Sequence, residues 1–242
     1  MIASALRSSK PSFDLPPAFS WVAPPAGMSV HVFACDVAPR LGAGTLTSRA
    51  GETVVEIAVV LEPDEPLGTA RRAILICMAA FADALAACAP PERPVTLAYP
   101  DVIEFNGARV GGGRLGWPDD CADDQVPEWL VFSAMLIASK RHAGDPGLTP
   151  NSTSLEEEGF EPDAPDEIVE AFARYLMLAF DGARERGFEG WSEAYRRWMP
   201  NGRTARIDEG GNLGTENGKV VALAPALARV AWLDPQTGTP RL

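Results

Sequence analysis

The sequence predicts an α+β fold in which a mixed or antiparallel sheet is flanked by helices and followed by a small β module. Two nearly unbroken apolar runs, residues 53–61 and 129–138, are typical of strands buried on both faces. Residues 67–88 carry apolar side chains at three- and four-residue steps, which predicts a helix lying on the sheet. The pair Asn106-Gly107 separates two β-leaning runs and predicts a hairpin.

The amino-terminal third predicts three further elements. Residues 1–27 are rich in Ser and Pro, so we expect an extended leader rather than a helix. Residues 28–41 predict a helix that ends near Gly42, and residues 44–48 predict a strand. The large apolar side chains expected to anchor the leader are Phe13, Phe19 and Trp21.

The carboxyl-terminal half predicts two helices, followed by short strands between Gly-rich turns. Residues 166–186 form the first helix, which stops at Gly187, and a short helix follows. Pro200-Asn201-Gly202 marks the predicted boundary between a main domain, residues 1–200, and a β module, residues 201–242. The aromatic residues expected on one face of the short helix are Trp191, Tyr195 and Trp198.

Composition excludes several kinds of partner. The 242 residues include 21 basic and 33 acidic side chains, giving a net charge of -12. This charge argues against nucleic acid or an anionic membrane as the main partner. No signal peptide or apolar stretch of membrane-spanning length is evident, so we expect a cytoplasmic protein with free thiols. Its cysteines are Cys35, Cys77, Cys88 and Cys121.

The hairpin is the strongest candidate site. His31 and His142 are the only histidines, so the sequence offers few histidines to bind a metal or to act in a catalytic relay. The returning strand runs through three consecutive glycines, which mark a place where a ligand or another backbone comes close. Arg109 and Arg114 flank these glycines, and guanidinium groups suit a carboxylate or phosphate. An exposed hairpin with two solvated arginines remains the alternative.

Four motifs resemble those of biotin/lipoate protein ligases. Tyr99-Pro100-Asp101 stands where biotin ligases have Lys-Trp-Pro-Asn-Asp, and residues 106–112 are similar to Asn-Gly-Lys-Lys-Val-Gly-Gly. Thr153-Ser154-Leu155 matches a Thr-Ser-Leu motif after the next strand, and residues 207–213 resemble the Ile-Asp-x-x-Gly-x-Leu of the small carboxyl-terminal β domain. The resemblance spans about residue 44 to residue 242.

This resemblance implies a fold related to class II aminoacyl-tRNA synthetase and biotin synthetase cores. It implies that a small acid, such as biotin or a lipoate-like acid, is activated with ATP and Mg²⁺ and passed to a lysine of a biotinyl or lipoyl carrier domain. It also implies a possible homodimer. Arg109 would then be catalytic by stabilising the acyl adenylate. The residues expected to bind substrate are Tyr99, Pro100, Asp101, Gly111, Gly112, Gly113, Arg114 and Ser133.

The sequence also departs from the family pattern. Between the two early strands, the family's Gly-Arg-Gly-Arg-Arg-Gly lid is replaced by the four residues 49–52, and the bridging lysine is replaced by Arg109. The region of residues 140–160 lacks the cysteine that related octanoyltransferases use, which disfavours a thiol mechanism. Two alternatives therefore stay open. One is a non-catalytic acyl- or nucleotide-binding protein, and the other is a structural partner in a larger complex.

Overall fold

The structure, a computed structural model, describes residues 13–242 apart from residue 216. One mixed sheet organises it. Its strands are β1 (Ser20–Trp21), β2 (Thr45–Ala50), β3 (Val54–Leu61), β4 (Val95–Ala98), β5 (Val102–Phe105), β6 (Ala108–Gly116) and β7 (Leu130–Ile137). They lie in the order β1-β2-β3-β7-β6-β5-β4. The β1–β2 pair is parallel and the other neighbouring pairs are antiparallel, so the predicted sheet is confirmed.

The leader is extended where the structure describes it, since residues 1–12 lie outside the described residues. Backbone hydrogen bonds tie β1 to β2 at 3.0 Å and 2.9 Å. The Trp21 indole donates to Ser48 Oγ at 2.9 Å, and its ring meets that of Phe13 edge-on. The three predicted anchors all pack against the main core.

Helices cover both faces of the sheet. Helix α1 (Val30–Leu41) packs on β2, β3 and β7, and it ends at Gly42, whose φ of 71° only glycine adopts readily. The opposite face carries α2 (Leu67–Ala70), α3 (Ala73–Cys88) and α4 (Ala164–Arg196). We call these two faces of the sheet the α1 face and the core face.

The prediction of a single helix over residues 67–88 was wrong in two respects. Arg71 and Arg72 interrupt it as a turn, in which the amides of Ile74 and Leu75 bond to the carbonyls three residues before them. The two guanidinium groups donate to Asp123 at 2.6 Å, and to Glu65 and the Glu209 carbonyl at 2.7 and 2.9 Å. Helix α3 is also buried almost all round rather than on one stripe. The reason is that it lies between the sheet and α4.

The later helices follow the prediction. Gly187 has a φ of 60° and a ψ of -154°, so it breaks α4 into the two expected segments. Beyond them, β8 (Arg206–Ile207), β9 (Leu213–Gly214) and β10 (Val220–Val221) form a small antiparallel sheet, followed by α5 (Leu223–Leu227). This confirms the small carboxyl-terminal β sheet, whereas the boundary at residue 200 stays a prediction. Within the described residues, no helix is both long and apolar enough to cross a membrane.

Candidate functional site

The hairpin turn forms as the sequence predicts. Asn106 and Gly107 have φ values of 51° and 81°, the left-handed conformation that a two-residue hairpin turn requires at both positions. Asn and Gly are the residues that adopt it at least cost. The turn therefore sets β5 against β6 and places the glycine run inside the sheet.

A β-bulge decides which side chains share a face. Ile103 pairs with Gly111, but the next residue of β5, Glu104, pairs with Arg109, so β6 contains one extra residue. In a regular ladder Arg109 would lie opposite Phe105 and point into the core face. The extra residue instead places Arg109 on the α1 face together with Gly112 and Arg114.

Protein atoms occupy the space beside all three glycines. A Cβ at Gly111 would lie 1.9 Å from the Met135 carbonyl oxygen, and one at Gly113 would lie 2.6 Å from the Met78 sulfur. A Cβ at Gly112 would lie 2.5 Å from the Trp232 ring. The close approach expected of the glycines is thus made by the protein itself, and access for a ligand stays a prediction.

Arg109 faces a neutral acceptor. Its Nε and Nη2 donate to the Arg241 carbonyl oxygen at 3.2 and 2.9 Å. Burial lowers the pKa of Arg109, the nearby Arg241 charge lowers it further, and Glu104 opposes both. The fork of two donors therefore meets a single carbonyl oxygen, where a carboxylate would offer two oxygens and a charge.

Arg114 lies beneath α1, and one of its buried donors has no partner in the described part of the chain. It lies opposite Ser133 in the β6–β7 ladder and is half-buried. Its Nε is buried and has no hydrogen-bond partner among the described residues. Burial lowers the pKa of Arg114, while the nearby Cys35 and Glu56 oppose this shift.

His31 and Cys35 lie beside Arg114 and were not predicted as site residues. His31 Nδ1 lies 2.7 Å from Ser133 Oγ, and His31 Nε2 lies 3.9 Å from Cys35 Sγ. Both line a cleft of about 480 Å³, with walls that include Trp117 and Trp129. The four-residue spacing of His31 and Cys35 on a predicted helix was the available signal. Nothing in the sequence placed that helix over Ser133.

Burial keeps both of these groups neutral. It lowers the pKa of His31 to about 3, and the Arg114 charge acts in the same direction. It raises the pKa of the Cys35 thiol to about 11, although Arg114 opposes this shift. A thiol of this kind is not poised for nucleophilic attack.

Tyr99, Pro100 and Asp101 are turned towards the small β module. The Tyr99–Pro100 peptide bond is cis, and the Tyr99 hydroxyl donates to the Gly211 carbonyl at 2.6 Å. Asp101 is 3% exposed, its Oδ2 has no partner among the described residues, and burial raises its pKa to about 7. Their place as substrate-binding residues stays a prediction.

Trp232 is the residue that the sequence analysis missed most completely. It is 1% exposed, its ring lies on Gly112, and its indole N–H donates to the Gly113 carbonyl at 3.1 Å. A hydrogen bond from the same indole opposes the rise in the pKa of Asp101. A lone tryptophan more than a hundred residues beyond the hairpin carries no sequence signal for this contact.

A metal site does not emerge from the described part of the chain. No group of three or more His, Cys, Asp or Glu side chains is placed there to hold an ion. The loop between β6 and β7 carries several aspartates, and one of them, Asp123, forms an ion pair with Arg71.

Comparison with known proteins places these features in one family. The sequence model of the biotin/lipoate A/B protein ligase family matches residues 15–197. No curated protein matches the chain.

Solved structures show the same fold. A biotin protein ligase-like protein of unknown function from Silicibacter sp. TM1040 is 27% identical, with a TM-score of 0.77 over 89% of this chain and 99% of that one. The apo biotin protein ligase of Aquifex aeolicus is 16% identical, with a TM-score of 0.58 over 75% and 87%. The same enzyme with biotin and ATP is 14% identical, with a TM-score of 0.55 over 85% and 95%.

Proposed function

Because the chain belongs to the biotin/lipoate A/B protein ligase family, we propose that it binds a small carboxylic acid on the α1 face of the sheet and activates it with ATP. The acyl group then passes to a lysine of a carrier domain, in the cytoplasm. Biotin or a lipoate-like acid is the first candidate, since an Aquifex aeolicus relative has been solved with biotin and ATP.

The observation that carries the proposal is the state of Arg114. A buried Nε–H without a partner is an unsatisfied donor, and an anion bound beside this half-buried guanidinium would satisfy it. A carboxylate accepts two parallel hydrogen bonds from a guanidinium, and its charge would offset the desolvation of the cation. The bulge at β6 places Arg109 on the same face, on the other side of Gly112 from Arg114.

The chemistry requires no nucleophilic side chain. When bound, ATP would supply the α-phosphorus that the carboxylate oxygen attacks, with pyrophosphate leaving as its bond to that phosphorus breaks, and the guanidinium groups would orient the carboxylate and stabilise negative charge. The neutral Cys35 thiol and neutral His31 are consistent with this direct route. Mg²⁺ would enter with ATP, because Mg²⁺ is usually bound largely through substrate phosphates.

Exchange of labelled pyrophosphate into ATP tests the proposal, with biotin, lipoate, octanoate and other small acids as substrates. We expect one acid to stimulate exchange, and we expect Arg114→Met to lower that rate by about 100-fold or more. The matched control is Arg40→Met, because Arg40 is an exposed arginine of α1. Equal exchange in Arg114→Met and wild type, or no exchange with any acid, would contradict the proposal.

Arg114→Met also separates a binding role from a structural one. The variant removes a cation whose buried Nε has no described partner and keeps most of the apolar stem. Its free energy of unfolding should therefore stay within about 1 kcal/mol of wild type, or rise. Urea denaturation of the two proteins measures this difference. A loss above about 2 kcal/mol would show that Arg114 mainly supports the fold.

A second candidate function is acid binding without turnover. Ala50 pairs with Val55 across a tight turn closed by a 2.9 Å hydrogen bond from Gly51 N to the Val54 carbonyl, so no lid stands between β2 and β3. Arg109 is also engaged by the Arg241 carbonyl. Acid binding that Arg114→Met abolishes, together with silent pyrophosphate exchange, would favour this candidate.

A further inference from the structure

A short hairpin covers the α1 face at the glycine run. It comprises residues 232–241 and is called the strap here. Leu233 and Pro240 form an antiparallel bridge, and Arg241 N donates to the Trp232 carbonyl at 2.8 Å. Residues 235–239 at its tip are exposed.

Two contacts attach the strap to the sheet. At one end the Trp232 ring lies on bare Gly112, and its indole N–H bonds to the Gly113 carbonyl. At the other end the Arg241 carbonyl accepts both hydrogen bonds from Arg109. Leu233 N also donates to the Val230 carbonyl just before the strap, at 3.3 Å, and the strap's other described hydrogen bonds lie within the segment itself.

Both contacts fall on residues that an anionic ligand of this face would use. Arg109 is the predicted catalytic cation, and Gly112 is the point of β6 where the backbone is bare on the α1 face. In the closed arrangement, a planar ring covers the glycine and an oxygen atom occupies the guanidinium fork. The strap thus presents the two chemical groups, a flat ring and an oxygen acceptor, that a nucleotide would bring.

We propose that the strap is an intramolecular competitor, which occupies Arg109 and Gly112 in the free protein and is displaced when ATP binds. This inference rests on the proposed function for its ligand. The strap offers Arg109 only a neutral carbonyl, whereas a phosphate or carboxylate forms shorter and stronger charge-assisted hydrogen bonds with a guanidinium. An anion therefore has an advantage over the strap at that fork.

Competition of this kind lowers the apparent affinity by the fraction of open protein. If the strap is open less than about one-tenth of the time, its release should tighten ATP binding about ten-fold or more. Two variants release it differently. Trp232→Ala removes the ring, and Arg241→Pro removes the N–H that closes the hairpin while leaving Trp232 in place. Trp232→Phe, which keeps a ring on Gly112, is the control.

Hydrogen–deuterium exchange of residues 232–241 and calorimetric titration with Mg-ATP test the proposal on the full chain. We expect saturating ATP to speed exchange in the strap. We also expect Arg241→Pro and Trp232→Ala to bind ATP about ten-fold more tightly than wild type, with Trp232→Phe in between. Circular dichroism checks that each variant is folded. If Trp232→Ala does not fold, the affinity of Arg241→Pro for ATP alone tests the proposal.

Strap exchange that is unchanged or slower in saturating ATP would overturn the proposal. So would equal or weaker ATP binding in Arg241→Pro, or the absence of ATP binding in wild type and both release variants. These outcomes are distinct from failure of the proposed function. ATP binding that opens the strap without pyrophosphate exchange would support the competitor proposal and contradict the proposed ligase activity. Pyrophosphate exchange while the strap stays closed would support the ligase activity and contradict the competitor proposal.

Discussion

Gly111→Ala should destabilise the protein by about 3 kcal/mol or more, the largest effect expected of a small substitution in the hairpin. The added Cβ would lie 1.9 Å from the Met135 carbonyl oxygen in the adjacent strand. A backbone atom in the middle of a sheet cannot move aside as a flexible side chain can. Urea denaturation of the two proteins measures the difference in the free energy of unfolding.

The control for this substitution is Gly107→Ala at the hairpin turn. Gly107 has a φ of 81°, but no described atom lies within 4 Å of where its Cβ would be, so only backbone strain of about 1 kcal/mol is expected. Equal stability of Gly111→Ala and wild type would show that the glycine run is not explained by the close approach of β7. It would then need another reason, such as a ligand.

Asp101→Asn should remove a pH-dependent loss of stability of about 3 kcal/mol between about pH 5 and pH 8. Burial raises the pKa of Asp101 from 3.8 to about 7. The folded state therefore binds this proton more tightly than the unfolded state, and the resulting stability is fully present below about pH 4. It is lost as the pH rises through about 7, because the buried carboxylate must then ionise beside Trp232.

The other groups around Asp101 do not titrate in this range. Burial raises the pKa of Tyr99 and of Tyr195 well above the usual value for a phenol, so both stay neutral. The measurement is urea denaturation at several pH values, with Asp120→Asn in the exposed loop as the control. Parallel pH profiles for wild type and Asp101→Asn would refute the shift assigned to this carboxyl group.

Local patterns in the sequence predicted most of the fold. The Asn106-Gly107 turn, the helix stop at Gly187 and the two buried strands depend on backbone preference and periodicity within a few residues, and all three are found. The break at Arg71 and Arg72 was missed. It is a local change to three-residue backbone hydrogen bonds, and no Gly or Pro stands at these two positions to indicate it.

The candidate site shows the same division. The glycine run and its flanking arginines were visible in the sequence, but the bulge that brings Arg109 and Arg114 to one face depends on pairing between strands. The contact of Trp232 with Gly112 joins residues far apart in the chain, and periodicity cannot report such a contact. The neutral state of His31 and Cys35 follows from their burial between α1 and the sheet, which is equally non-local.

Calorimetric titration of wild type and Arg114→Met with the acid that stimulates exchange tests most directly whether Arg114 anchors a carboxylate. We expect wild type to bind the acid and Arg114→Met to bind it at least about ten-fold more weakly, while Arg40→Met binds it as wild type does. The amide of the same acid, which lacks the charge, should bind wild type and Arg114→Met equally. Equal affinity of wild type and Arg114→Met for the acid would contradict the account.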